Sequence, residues 1–297
     1  MSIYQPQAQS LNRASIVPLG FVLVVGVITL ALAAFQVTTV PVINNDAELE
    51  NAQVIQTDMQ NFNQQIIQSS VTGVPRPFIF NNVVDYPFQI VEPPQPTTLI
   101  QTRSPMTFSV SGSEPVSLGE GQEWSSQREA FTTRPFEVFT PYTYNTDAPR
   151  VQSEYGVVNL APPNEPLNTQ ATVSNQLLIT DNSISVYVID NQVSSIRQSN
   201  AAIQITPRPS KSIDIELTNA SASTPIEFEF ETTLSESVWT DMLESEGVEN
   251  GGYIERIEFE EEQDPRYDRV TLVMSPEEEY RLQIYYVELD VQSGIRP

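Results

Sequence analysis

Residues 226–232 read Ile226-Glu227-Phe228-Glu229-Phe230-Glu231-Thr232, and this short run decides the fold class. Its strict alternation puts Ile226, Phe228 and Phe230 on one face of an extended strand and the three glutamates on the other, so one face is buried and one is wet. Working outward, runs of similar texture recur as FIF at 78–80, FQIV at 88–91, TFSV at 107–110, SISVYVID at 183–190, AIQIT at 202–206 and SIDIELT at 212–218. Towards the C-terminus come YIERIEFE at 253–260, RVTLVM at 269–274 and RLQIYYVELD at 281–290. Many short β-branched and aromatic runs separated by Pro, Gly, Asn and Asp predict a mainly β fold, an antiparallel sandwich or barrel-like domain over residues 73–297. SESVWTDMLESE at 235–246 is the one helix-like interruption, with Ser235 or Ser237 as cap and Val238, Trp239, Met242 and Leu243 on the side that meets the sheet. The stretch from Gly112 to Pro166 is rich in Ser, Pro, Glu and Thr and shows little alternation. It reads as a long surface excursion and a sub-boundary between two β units.

The other end of the chain has a different period. From Ile16 to Phe35 the sequence is IVPLGFVLVVGVITLALAAF, with no charge. As a helix it is about 30 Å long, the thickness of a bilayer core, so residues 15–36 are expected to form a transmembrane helix whose partner over 16–35 is lipid. Arg13 precedes it, whereas Asp46, Glu48 and Glu50 follow with no base before Arg76. The positive-inside bias then puts residues 1–14 in the cytoplasm and the β domain outside, a single-pass protein of the cell membrane. Ala31-Leu32-Ala33 matches a signal-peptidase site, which would release the domain, and cleavage after Ala14 would instead keep the helix. Pro41 should kink or end the first helix. Over residues 37–72 a second, amphipathic stalk helix is expected: Leu49, Ala52, Ile55, Met59, Phe62 and Ile66 recur at helical spacing among Asn and Gln. That stripe packs either on the β domain or on neighbouring copies.

Composition narrows the chemistry. The 297 residues hold no cysteine and no histidine, which removes disulfides, Cys/His zinc sites, thiol nucleophiles and Ser-His-Asp triads. Acids outnumber bases 38 to 14, and Lys211 is the only lysine. The field of such a chain repels phosphate, so nucleic acid is not a partner. A net charge of −24 is tolerable in concentrated salt, where the Debye length falls to about 3 Å at 1 M. Acidity with lysine depletion therefore predicts a halophilic protein. The field is uneven, since residues 1–150 carry a net −6 and residues 151–297 a net −18.

Arg13-Ala14-Ser15-Ile16-Val17-Pro18-Leu19-Gly20 and the apolar run after it resemble the N-terminal signature of haloarchaeal type IV pilins and pilin-like surface proteins. The resemblance implies processing at Arg13, Ala14 and Ser15, with the cut after Ala14. The acidic residue that the bacterial family carries near its mature N-terminus is missing. Asp58-Met59, Thr72-Gly73, Arg76-Pro77, Tyr86-Pro87, Pro93-Pro94, Leu234, Trp239 and Leu243 extend the likeness to haloarchaeal membrane-anchored proteins that have this anchor, a polar helix and a β-rich ectodomain. The likeness implies place and shape and carries no activity.

Other residue groups each admit two readings. Glu258, Glu260, Glu261, Glu262, Asp264, Asp268, Glu277, Glu278 and Glu279 supply hard oxygen ligands for Ca²⁺ or Mg²⁺, or a solvated acidic face; EF-hand spacing is absent. Ser210-Lys211-Ser212 has the composition of a Ser-Lys dyad, or is an exposed loop. Asn219-Ala220-Ser221 is a glycosylation sequon. Trp124, Phe136, Phe139, Tyr142 and Tyr144 form a glycan or partner platform, or belong to the core. No catalytic residue, no metal ligand set and no cofactor is assigned. The expected function is that of a single-pass, pilin-like structural or interaction protein that contacts itself or other envelope proteins. The alternative is an envelope glycan- or cation-binding module, and a carboxylate-based surface hydrolase is a third class that needs two carboxyl groups about 5 to 9.5 Å apart.

Overall fold

The computed structural model describes residues 13–87, 93–114, 116–119, 122–124, 129–162, 171–175, 179–180, 182–218, 224–244, 253–260, 267–276 and 279–292. Two long helices, α1 (Arg13–Thr38) and α2 (Val40–Thr72), open the chain. Ten strands follow: β1 (Arg76–Phe80), β2 (Thr98–Thr102), β3 (Met106–Ser111), β4 (Val116–Gly119), β5 (Gln122–Trp124), β6 (Glu129–Thr133), β7 (Phe136–Phe139), β8 (Arg150–Glu154), β9 (Val157–Ala161) and β10 (Ala171–Asn175). Then come β11 (Ile179–Thr180), β12 (Ser183–Ile189), β13 (Ser194–Arg197), β14 (Ala201–Pro207), β15 (Ile213–Leu217) and β16 (Glu227–Thr232). The short helix α3 (Glu236–Glu244) precedes β17 (Ile254–Glu260), β18 (Asp268–Met274) and β19 (Tyr280–Gln292).

The protein is mainly β, with antiparallel sheets packed as a sandwich-like domain beyond the two N-terminal helices. The IEFEFET run supplies β16, with Phe228 and Phe230 buried and its glutamates half-exposed. It lies in a sheet of order β17-β18-β16-β3-β6. A second sheet runs β10-β9-β8-β7-β2-β13, and a third runs β1-β14-β19-β12-β11 with β15 also on β19. Among the described ladders, β12 against β19 is the parallel one.

β19 organises the interior because its buried face changes along its length. Tyr280, Leu282 and Ile284 belong to a core with the first sheet and α3, whereas Val287 and Leu289 belong to a second core with α2 and the second sheet. A strand buries every second residue on one face. The shift from even to odd positions at Tyr285-Tyr286 therefore means that the two cores lie on opposite sides of the third sheet, which is the shared middle layer.

The stretch from Gly112 to Pro166 is not a surface excursion. It contains β4 to β9, including three strands of the second sheet. β8 is RVQSE and four of its five residues are buried, so both of its faces are covered and no apolar alternation is left to read.

Candidate functional site

Among the described residues, α1 bears most of the exposed large apolar side chains. It is long and apolar enough to cross a membrane, and none of its most apolar window is buried within the protein. Leu30 is 72% exposed, and Leu19, Phe21, Val22 and Leu23 are exposed in the same way. The Thr29 and Thr38 hydroxyls donate to the carbonyls of Val25 and Ala34, both at 2.8 Å, so each is satisfied without water. Arg13, Ala14 and Ser15 form the start of this helix.

Helical hydrogen bonding continues across the junction with α2. Thr39 N–H donates to Phe35 at 2.9 Å, and Thr39 in turn accepts from Ile43 N–H at 3.1 Å. Pro41 removes only its own donor, so the break at Thr39 is a local irregularity and the two helices form one column. Gly73, at φ 67°, ends the column with a left-handed cap.

α2 lies on the β domain. Ile55, Met59, Phe62 and Ile66 are buried in the second core, and the Phe62 ring sits 5.4 Å from Phe80 and 4.7 Å from Phe136. The upper part of the seam differs from the apolar stripe expected from the sequence. Leu49 is exposed, and Asn44, Glu48 and Asn51 are buried in its place. For Glu48 and Asn51 the reason lies in the loops that cover this end of the helix, whereas the Asn44 amide has no hydrogen-bond partner among the described residues. Glu48 accepts the successive backbone N–H groups of Thr143, Tyr144 and Asn145 at 3.1, 2.7 and 2.6 Å. Asn51 donates to the carbonyls of Asn81 and Val83 and accepts the Tyr142 hydroxyl at 2.7 Å. Further down, Asp58 accepts from Asn81 N–H at 2.7 Å and Asn63 accepts from Ser153 at 2.7 Å. Unpaired loop amides would cost more than burying these side chains. Burial raises the Asp58 carboxyl above the usual carboxylate range, with the Asn81 hydrogen bonds acting in the opposite direction. Burial likewise raises the Tyr86 hydroxyl, and its hydrogen bond to Glu48 adds to the shift.

A second polar assembly lies on the far face of the second sheet. Tyr155-Gly156 is a two-residue hairpin loop between β8 and β9 with both residues at positive φ, 48° and 84°, the pattern of a type I′ turn. That turn fixes the register. Val151 and Ser153 then face α2, and Gln152 and Glu154 face the corner between β16 and α3. Glu154 is 2% exposed. It accepts the Thr232 hydroxyl, the Thr233 hydroxyl at 2.6 Å, the Thr233 N–H at 3.2 Å and the Gln152 amide at 3.3 Å. Burial pushes its carboxyl up, against the effect of these hydrogen bonds. Gln152 also donates to the Thr233 hydroxyl at 3.0 Å, and the Trp239 indole donates to Thr232 at 2.9 Å. Glu137, Gln152 and Asn159 form one cross-strand row, and in each of them at least one buried oxygen has no hydrogen-bond partner among the described residues. Sequence reasoning missed this assembly because the residues are distant in the chain and RVQSE reads as a polar loop.

The residues singled out from sequence fall in separate places. Phe136 belongs to the second core, Tyr142 sits in a small buried cluster with Tyr144 and α2 residues packed against it, and Phe139 is half-buried, while the Trp124 side chain lies outside the described residues. Lys211 lies in a 3-10 turn, paired with Asp190 at 2.7 Å and 5.8 Å above the Tyr286 ring, with no serine as its partner among the described residues. Glu258 pairs with Arg256 at 2.6 Å. Among the described residues no group of three or more carboxylates is arranged to hold a metal ion. Asn219, Glu261, Glu262, Asp264, Glu277 and Glu278 lie outside the described residues, as does the FQIV run. Comparison of the chain with protein-family models, curated proteins and solved structures gives no match.

Proposed function

We propose that this chain is a single-pass cell-surface structural or interaction protein of a halophilic archaeon, in which a pilin-like anchor presents an acidic β ectodomain. The observation that carries the proposal is the helical column. Its upper half is apolar and uncovered, and its lower half is locked to the β domain by both apolar and polar contacts. A helix held in this way cannot fold back over the domain to hide its surface, and lipid over residues 16–35 is the environment that suits it.

The other parts of the proposal rest on sequence. Arg13 before the apolar run and Asp46, Glu48 and Glu50 after it favour a cytoplasmic N-terminus. The net charge of −24 with one lysine supports a salty exterior. The resemblance around Arg13, Ala14 and Ser15 supports a pilin-like origin and contact with further copies or other envelope proteins. No enzymatic activity or cofactor belongs to this proposal. Intact mass and N-terminal sequencing of protein taken from native membranes test it. A membrane-bound chain that begins at Ser15 is the expected result. A soluble chain that begins just after Ala33 would overturn the anchor.

A further inference from the structure

We propose that Thr233 and Gln152 form an intramolecular ester cross-link, made autocatalytically with Glu154 as the proton carrier. The three side chains meet as a nucleophile, an electrophile and a base. The Thr233 hydroxyl oxygen is 2.6 Å from Glu154 Oε2 and 3.0 Å from Gln152 Nε2, and the same Oε2 is 3.3 Å from Gln152 Nε2. The carboxamide carbon is one bond beyond Nε2, about 1.3 Å. A hydroxyl alone is a weak nucleophile and needs an adjacent base. Here that base touches both the attacking and the leaving atom.

The step balances without a further reactant. Thr233 Oγ1 bonds to Gln152 Cδ, and the Cδ–Nε2 bond breaks. Glu154 takes the hydroxyl proton and delivers a proton to Nε2, so ammonia leaves and Glu154 ends as it began. Because one carboxyl group carries the proton between the two atoms, neither a free alkoxide nor an amide anion has to form.

The surroundings favour the product. Gln152, Glu154, Thr232 and Thr233 are all 5% exposed or less, with Trp239 closing the corner, so water that would hydrolyse an ester is excluded. Gln152 Oε1 is buried with no donor among the described residues. An amide carbonyl is a strong acceptor and an ester carbonyl a weaker one, so conversion relieves part of the cost of that unpaired oxygen. The bond would join β8 of the second sheet to the end of β16 in the first, in a chain that has no cysteine with which to staple its sheets.

Mass spectrometry of the full chain, produced in molar salt and solubilised in detergent, tests this directly. The expected result is a mass about 17 Da below that of the sequence, the mass of ammonia, with the Gln152 and Thr233 peptides joined after proteolysis and separated by mild base. Thr233→Val and Glu154→Gln should show the full mass and no joined peptide. Thr233→Val should also melt about 10 °C lower, the scale expected for losing a long-loop staple. A wild-type chain at full sequence mass with separate peptides overturns the proposal whether or not the variants fold. A loss of about 18 Da with a link at Glu154 would mean water had left instead of ammonia, and also overturns it.

Discussion

The Tyr86 hydroxyl donates to Glu48 Oε1 at 2.8 Å, joining α2 to a loop 38 residues further along the chain. With the amides of Thr143, Tyr144 and Asn145 on the same carboxylate, this contact closes the part of the β domain nearest α1. Glu48→Ala removes the acceptor that the amides of Thr143, Tyr144 and Asn145 share. It should cost about 2 to 4 kcal/mol, and Tyr86→Phe about 1 kcal/mol. Denaturant unfolding in molar salt checks both, and a Glu48→Ala chain as stable as wild type would remove the polar lock from the account.

Two buried carboxyls should give the protein an uncommon dependence on pH. Burial raises Asp58 and Glu154 above their ordinary values. The native state therefore holds these protons more tightly than the unfolded state. Their stabilising contribution is complete below the unfolded value and is lost as pH rises through the folded one. Asp214 works in the opposite sense: its bidentate contact with Arg281 lowers it, and its contribution is lost as pH falls. In molar salt, which screens the surface charge, wild type should lose stability as pH rises above the ordinary carboxylate range, and Asp58→Asn should lose less. Equal slopes for the two proteins would contradict the assignment to Asp58.

Much of the β layer could be read from sequence where one strand face is wet. β16, β12, β15 and β18 have that pattern, and α3 was marked by Trp239, Met242 and Leu243. β7, β8 and β9 could not be read in this way, because burial on both faces removes the alternation and the buried residues of β8 include Gln152, Ser153 and Glu154. The polar seam of α2 was hidden for a related reason. Glu48 and Asn51 look like surface residues until the loops that need their hydrogen bonds are folded against them. The exposed α1 is legible at once, since a twenty-residue apolar run without a charge needs no tertiary partner to be recognised.

Gly112 is a backbone-determined position. At φ 79°, a Cβ there would lie 2.0 Å from the Pro225 carbonyl oxygen, where the chain enters β16. Gly112→Ala should destabilise by about 2 kcal/mol or more through strain and the displacement of that strand. Thermal melts check it, and a variant that melts with wild type would show that the Pro225 turn yields freely.

Stability should also follow salt. The net charge of −24 repels itself when the Debye length is long, and dialysis from molar to millimolar salt should lower the melting temperature or unfold the chain. An unchanged melt would contradict the inference of a halophilic protein.

The most direct test of the central claim uses the chain's only lysine. Lys211 has a side chain 57% exposed on the β domain, so a membrane-impermeant amine reagent added to intact cells reports which side that domain occupies. The Lys211 peptide should be labelled on intact cells as efficiently as after lysis. Labelling of Lys211 only after lysis would place the β domain inside the cell and contradict the proposed topology.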